Sequence, residues 1–168
     1  ALLALFIAYS IQNHISAEKL IIITFCITAA LYMVAFLASL FAGLTNGTID
    51  YHSLLSGFTN RRFLNQFQSI SFPILLVAPF LLSSGKKAYF LLSVLAALWF
   101  MLMLVSDGRG VVLASFLGVL LSFILIPNSR MKWLLHTLFV VALGMLLFLG
   151  FDYLLSTNEV VNEVVNGN

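Results

Sequence analysis

The chain has 168 residues, of which 62% are hydrophobic and only 8% charged, with a net charge of +2 and a mean hydropathy of +1.10. A soluble domain of this size carries about 25% charged residues, so a water-soluble globule is excluded and lipid must be the solvent for most of the surface. The weak positive charge gives no footing for nucleic acid, and the single cysteine, Cys26, excludes an internal disulfide.

Apolar runs define the expected elements. Residues 1–11 read as the tail of one spanning helix and 20–43 as a full span. A third covers 67–82, starting nearer 63, and a fourth covers 88–105. A short fifth covers 110–126, and a sixth covers 133–151. None of these runs alternates as a lipid-facing strand must, so the expected fold is all-α, a polytopic transmembrane helix bundle. Pro73 and Pro79 in the third span remove backbone hydrogen bonds and predict a bent or broken helix there. The chain starts inside an apolar run with no basic lead-in, and it stops in the polar stretch STNEVVNEVVNGN. It therefore reads as a piece of a larger membrane protein. Its transmembrane domain covers 1–151, and 152–168 begin an outward, periplasmic loop.

The connecting segments alternate between two sides, and the charges sort with them. Segments 12–19, 83–87 and 127–132 hold Lys19, Lys86, Lys87, Arg130 and Lys132 against Glu18. The other side holds Arg61, Arg62 and Arg109 against Asp50, Asp107, Asp152, Glu159 and Glu163. The positive-inside rule then assigns the lysine-rich loops to the cytoplasm. The three arginines on the far side are the exceptions that need a reason.

Arg109 is the sharpest of them. Asp107 and Arg109, with Gly108 between, interrupt the longest apolar stretch, LMLVSDGRGVVLASF. The helix that follows rises only about 25 Å, short of a ~30 Å hydrocarbon core, so the turn dips below the headgroups. Ionisable groups at that depth pair with one another or face a cavity. Gly108 and Gly110 allow a tight reversal, and the planar fork of Arg109 suits a phosphate or carboxylate. The plainer alternative is an Asp107–Arg109 pair that only closes a helical hairpin. A second constellation surrounds Arg61 and Arg62, among Asn60, Asn65, Gln66 and Gln68. On a helix Arg62, Gln66 and Ser69 share one face, and Phe63 and Phe67 the next. A basic, amide-rich helix start at a membrane surface suits an anionic lipid headgroup, although arginine also anchors span ends without any ligand.

The segment SDGRGVVLASFLGVLLSFIL resembles the Ser-x-x-Arg-Gly motif and following span of the O-antigen ligase and polymerase family of bacterial envelope enzymes. RFLNQFQSISFPILL is similar to the motif and proline-containing span that precede it there. The likeness runs from about Phe58 to the end, and the chain departs from the commoner SxSRG with SDGRG. The resemblance implies a multi-pass protein of the bacterial inner membrane. It implies transfer of a glycan from an undecaprenyl-pyrophosphate carrier to lipid A–core, polysaccharide or protein at the outer face, with no metal and no cofactor. Its implied partners are the lipid-linked glycan donor, the glycan acceptor and membrane lipid. Arg109 is the implied pyrophosphate ligand, with Arg62, Arg61 and Ser106 as further candidates. The family's catalytic histidine lies in a large outward loop, which corresponds to positions beyond Asn168.

Two other functions are compatible with the residues alone. A transporter or flippase for an anionic lipid would also line a cleft with arginine and use proline-broken helices. A packing subunit would use Asp107–Arg109 structurally and carry no chemistry. Elsewhere the plain reading prevails. His136 is read as an interfacial or interhelix hydrogen bonder, His52 as a solvated loop residue, and His14 has no evident partner. Asn46–Thr48 is a chance glycosylation pattern. Cys26, Met101 and Met103 are packing residues, and Trp99 is buried mid-span. Trp133 is placed in an interfacial belt. Ala38 with Ala42, and Ala114 with Gly118, are small-residue pairs read as helix contacts.

Overall fold

A computed structural model describes residues 15–46, 55, 61–82, 85–125 and 130–166. The expected span at 1–11, together with His14, Asp50, His52 and the Gly47–Thr48 part of the glycosylation pattern, lies outside the described residues. All five described elements are helices: α1 (Ile15–Asn46), α2 (Arg61–Leu82), α3 (Lys86–Val105), α4 (Arg109–Leu125) and α5 (Arg130–Asn166). No strand occurs among the described residues. α1, α2, α3 and α5 are long and apolar enough to cross a membrane. α4, at 17 residues, rises only about 25 Å and is the short element its sequence predicts.

α3 is the centre of the bundle. It packs most extensively on α5 and α2, while α1 lies against α2 and α3, and α4 lies against α2. On α1 the buried residues are Ile22, Cys26, Ala29, Met33 and Phe36, at alternating steps of four and three. That spacing keeps one stripe facing a neighbouring helix. Leu20, Ile23, Ile27, Leu31, Val34 and Phe41 on the remaining faces are exposed. In lipid such exposure costs nothing. Polar side chains on this outer surface satisfy themselves along their own helix: the Thr24 hydroxyl donates to the Leu20 carbonyl at 2.8 Å and Thr28 to Thr24 at 2.8 Å.

α2 has the reverse polarity of a soluble helix. Gln68 and Ser71 are fully buried, while Phe63 and Ile70 are 59% and 61% exposed. The Trp99 indole N–H of α3 donates to Ser71 Oγ at 2.9 Å, and Ser71 donates to the Phe67 carbonyl at 2.8 Å. Trp99 also packs edge-on against Phe67 and Tyr32, which ties α1, α2 and α3 together at one level.

α3 and α5 run parallel in register. The Tyr89 hydroxyl lies 3.0 Å from His136 Nδ1, 47 residues on. Gly144 faces Ala97 at the same offset, and a Cβ on Gly144 would lie 2.7 Å from the Ala97 carbonyl oxygen. Only glycine permits that approach. His136 is thus the interhelix bonder its sequence context predicts.

Three expectations need correction. α2 runs without interruption through Pro73 and Pro79, so of the bent or broken helix expected there the break does not occur. Pro79 is fully buried, packed within the bundle. α5 continues through residue 151 to Asn166, so the boundary placed at 152 falls inside a helix. The helix outlasts its apolar part, and Asp152 is on a helix, not in a loop. Ala38, Ala42 and Ala114 are exposed and a Cβ on Gly118 would meet nothing within 4 Å, so these pairs are not sites of close helix approach among the described residues; Gly144 is. Trp133, in the first turn of α5, is 5% exposed and packs against protein.

Candidate arginine cleft

The turn between α3 and α4 is built by local backbone chemistry. Ser106 ends α3 with φ −75° and ψ 0°. Asp107 then adopts a left-handed φ of +53°. The Asp107 N–H donates to the Leu104 carbonyl at 3.1 Å and the Gly108 N–H to the Met103 carbonyl at 3.4 Å. This pair of bonds is the Schellman arrangement, with aspartate in the position glycine usually fills. Aspartate tolerates that conformation better than most side chains.

Gly108 therefore does a different job from the reversal expected of it. A Cβ there would lie 3.1 Å from Asn65 Oδ1 and 3.3 Å from Val111 Cγ2, so the missing side chain lets the turn lie against α2. Gly110 meets nothing within 4 Å and sits exposed in the first turn of α4. The Val111 and Val112 N–H groups both donate to the Gly108 carbonyl, at 2.8 and 3.0 Å, which starts α4 at once. Reversal falls to Asp107 and close approach to Gly108.

α2 fixes this turn from beneath. The Ser106 hydroxyl shares its proton between Gln68 Oε1 at 3.1 Å and the Met103 carbonyl at 3.0 Å. Gln68 Nε2 and Asn65 Oδ1 are buried with no hydrogen-bond partner among the described residues. A donor and an acceptor thus remain unused one turn apart on the inner face of α2.

Above them is an open cleft of about 600 Å³ between α2 and the turn. Arg62, Asn65, Gln66 and Ser69 line one wall, and Asp107, Arg109 and Gly110 the other. The expected face of Arg62, Gln66 and Ser69 is therefore real, and it is turned towards Arg109. Arg109 Nε lies 3.3 Å from Asp107 Oδ1, and the two side chains are 91% and 73% exposed. Both side chains stand at the surface of the turn, so the pair does not withdraw the guanidinium from the cleft it lines.

The predicted residues divide as follows. Arg109 and Arg62 come together in one cleft. Ser106 is 3% exposed and does not line it; its contacts are with Gln68 and Met103. Arg61 is the first residue of α2. Sequence reasoning missed the structural importance of Gln68 and Asn65, which it grouped only as amides near arginine. The available signal was their spacing: with Ser71 they recur every three residues, on the one face of α2 that has to meet α3 and the turn. No group of three or more metal-ligating side chains occurs among the described residues. The cleft offers two guanidinium groups, one carboxylate, two amides and a hydroxyl, a set suited to an anion that also carries hydroxyls. Compared with known protein families, curated proteins and solved structures, the chain matches none.

Proposed function

We propose that the arginine cleft holds the diphosphate of a polyprenyl-linked glycan, and that the protein takes part in transferring the glycan from that carrier to an acceptor at the outer face of a bacterial inner membrane. One observation carries the reading. Arg62 and Arg109, 47 residues apart in the chain, line one open cleft at one end of a lipid-embedded bundle. The likeness of the Ser-Asp-Gly-Arg-Gly turn and its span to the O-antigen ligase and polymerase family points the same way.

The chemistry follows from the charge. When an acceptor oxygen attacks the anomeric carbon, the bond to the carrier's phosphate oxygen breaks and the leaving diphosphate gains negative charge. Fixed guanidinium groups beside it stabilise that developing charge more than the ground state. The cleft must sit at the membrane surface because the carrier's tail stays in the bilayer. Within the cleft the described residues supply binding and charge stabilisation. The base that deprotonates the acceptor belongs, by the resemblance, to residues beyond Asn168.

The test is substitution of Arg109 by Ala in the intact protein, read as glycan transfer and as binding of undecaprenyl pyrophosphate. A loss of about 10²-fold in transfer, with unchanged folding, is expected. Lysine at 109 restores only part, because an ammonium lacks the bidentate fork. Normal transfer by Arg109→Ala sinks the reading. A structural role alone is favoured by the Asp107–Arg109 contact, and it makes a different forecast: Asp107→Asn with Arg109→Gln, which suits the left-handed turn and removes both charges together, would leave the protein fully active. The transporter reading lacks the broken helix it called for, since α2 is continuous.

A further inference from the structure

The opposite end of the bundle carries a second groove. It has a volume of about 560 Å³ and is lined by Phe80 at the end of α2, Tyr89 near the start of α3, and Lys132, Leu135, His136 and Phe139 on α5. Phe80, Tyr89 and His136 form a closed aromatic triangle, with ring centres 5.0 to 5.6 Å apart; Phe80 stands near-perpendicular to both partners, at 89° and 87°. That triangle makes a rigid floor. The walls, Leu135 and Phe139, are 59% and 46% exposed, so the groove opens sideways to lipid.

Charge is concentrated at one mouth of this groove. Lys132, four residues before His136, lines the groove, and Lys86, three before Tyr89, begins the neighbouring in-register helix at the same level. Lys87 is adjacent, and all three lysines are exposed. Lys132 is the one charged residue lining the groove among the described residues. Asp107 lies in the turn beyond the far end of α3, and Asp152 towards the far end of α5.

We propose that this groove is a binding site for one anionic phospholipid of the leaflet that bathes the lysine end, with its phosphate on Lys132 and Lys86 and an acyl chain laid along Phe80, Leu135 and Phe139. An apolar slot open to lipid admits any acyl chain. The paired ammonium groups at its mouth select a headgroup of net negative charge over a zwitterionic one. The site is separate from the arginine cleft and does not depend on what that cleft binds. Its occupant would clamp α2, α3 and α5 together where each begins or ends.

The experiment uses the whole chain in detergent micelles. Phosphatidylglycerol and phosphatidylcholine with matched acyl chains compete for it, and bound lipid is counted by native mass spectrometry. A preference for phosphatidylglycerol of about fivefold per lysine is expected. Lys86→Gln with Lys132→Gln abolishes the preference while leaving phosphatidylcholine binding unchanged. Lys19→Gln, a lysine on α1 that does not line the groove, leaves the preference intact. These lysines are exposed, so the variants fold. Equal binding of the two lipids overturns the proposal, as does a preference that survives the double substitution. Displacement of the lipid by millimolar glycerol phosphate also overturns it, because the site would then recognise a free phosphate. Dimers that form through this face and carry no lipid overturn it in favour of a second copy.

Discussion

Gly144→Ala offers a direct test of how α3 and α5 meet. The added methyl would stand 2.7 Å from the Ala97 carbonyl oxygen and 2.8 Å from Phe100 Cδ1. Phe100 can turn a ring edge away, but Ala97 presents backbone inside a helix and cannot. Reaching an ordinary contact of 3.4 Å needs a separation of about 0.7 Å, imposed on the most extensive helix pair in the bundle. Overpacking of this kind costs about 1–3 kcal/mol, against a gain of about 1 kcal/mol from alanine's better helix propensity. The net effect is a loss of about 0–2 kcal/mol. Gly150 supplies the control, because it lies on the same helix and meets nothing within 4 Å. There the same substitution should stabilise by about 0.5–1 kcal/mol. Both variants are unfolded by SDS titration in identical micelles and followed by circular dichroism, where the two should differ by about 1–3 kcal/mol. If Gly144→Ala is as stable as Gly150→Ala, the close helix approach at Ala97 is wrong.

Other outcomes follow from single contacts. Tyr89→Phe strips His136 Nδ1 of its partner and should cost about 0.5–1.5 kcal/mol in the same titration, with little effect at the arginine cleft. Gln68→Ala removes an acceptor from Ser106 and opens a cavity beneath the turn. About 2–3 kcal/mol of stability should be lost, and hydrogen exchange should rise first at 106–110. Cys26 is 8% exposed within the α1 stripe, so it should resist maleimide labelling in native micelles and react fully once SDS unfolds the bundle. Arg109→Ala should leave the unfolding midpoint within about 0.5 kcal/mol of the parent, since its side chain is 91% exposed.

The helices were legible in the sequence because lipid makes the signal coarse. Long apolar runs without charge can only be spans, and α2, α3 and α4 fall within a few residues of their expected limits. The grouping of Arg62 with Arg109 was also readable, since alternation of spans sends both to one end. What was not legible depends on rotation and distance. Ala114 and Gly118 look like a contact pair by spacing, yet Ala114 is exposed and a Cβ on Gly118 would have open space, because hydropathy in an all-apolar helix does not say which side meets protein. Gly144 looked like any span glycine. Asp107 hid the left-handed position behind a neighbouring glycine, and the flanking Ser106 turned inward to Gln68 where its motif pointed to a ligand. The end of α5 was misread since polar composition ends a membrane run without ending a helix.

The inward polarity of α2 has a consequence for biogenesis. Its most apolar stretch has a mean hydropathy of 1.3, against 2.6, 2.4 and 2.4 for α1, α3 and α5. A segment this reluctant to leave water for hydrocarbon gains its place once Trp99 of α3 covers Ser71 and the α3–α4 turn covers Gln68. The translocon should therefore release α2 late, as one hairpin with α3. Glycosylation mapping of α2 alone should show poor membrane integration, and adding α3 should rescue it; efficient integration of α2 alone would rule out this order of assembly.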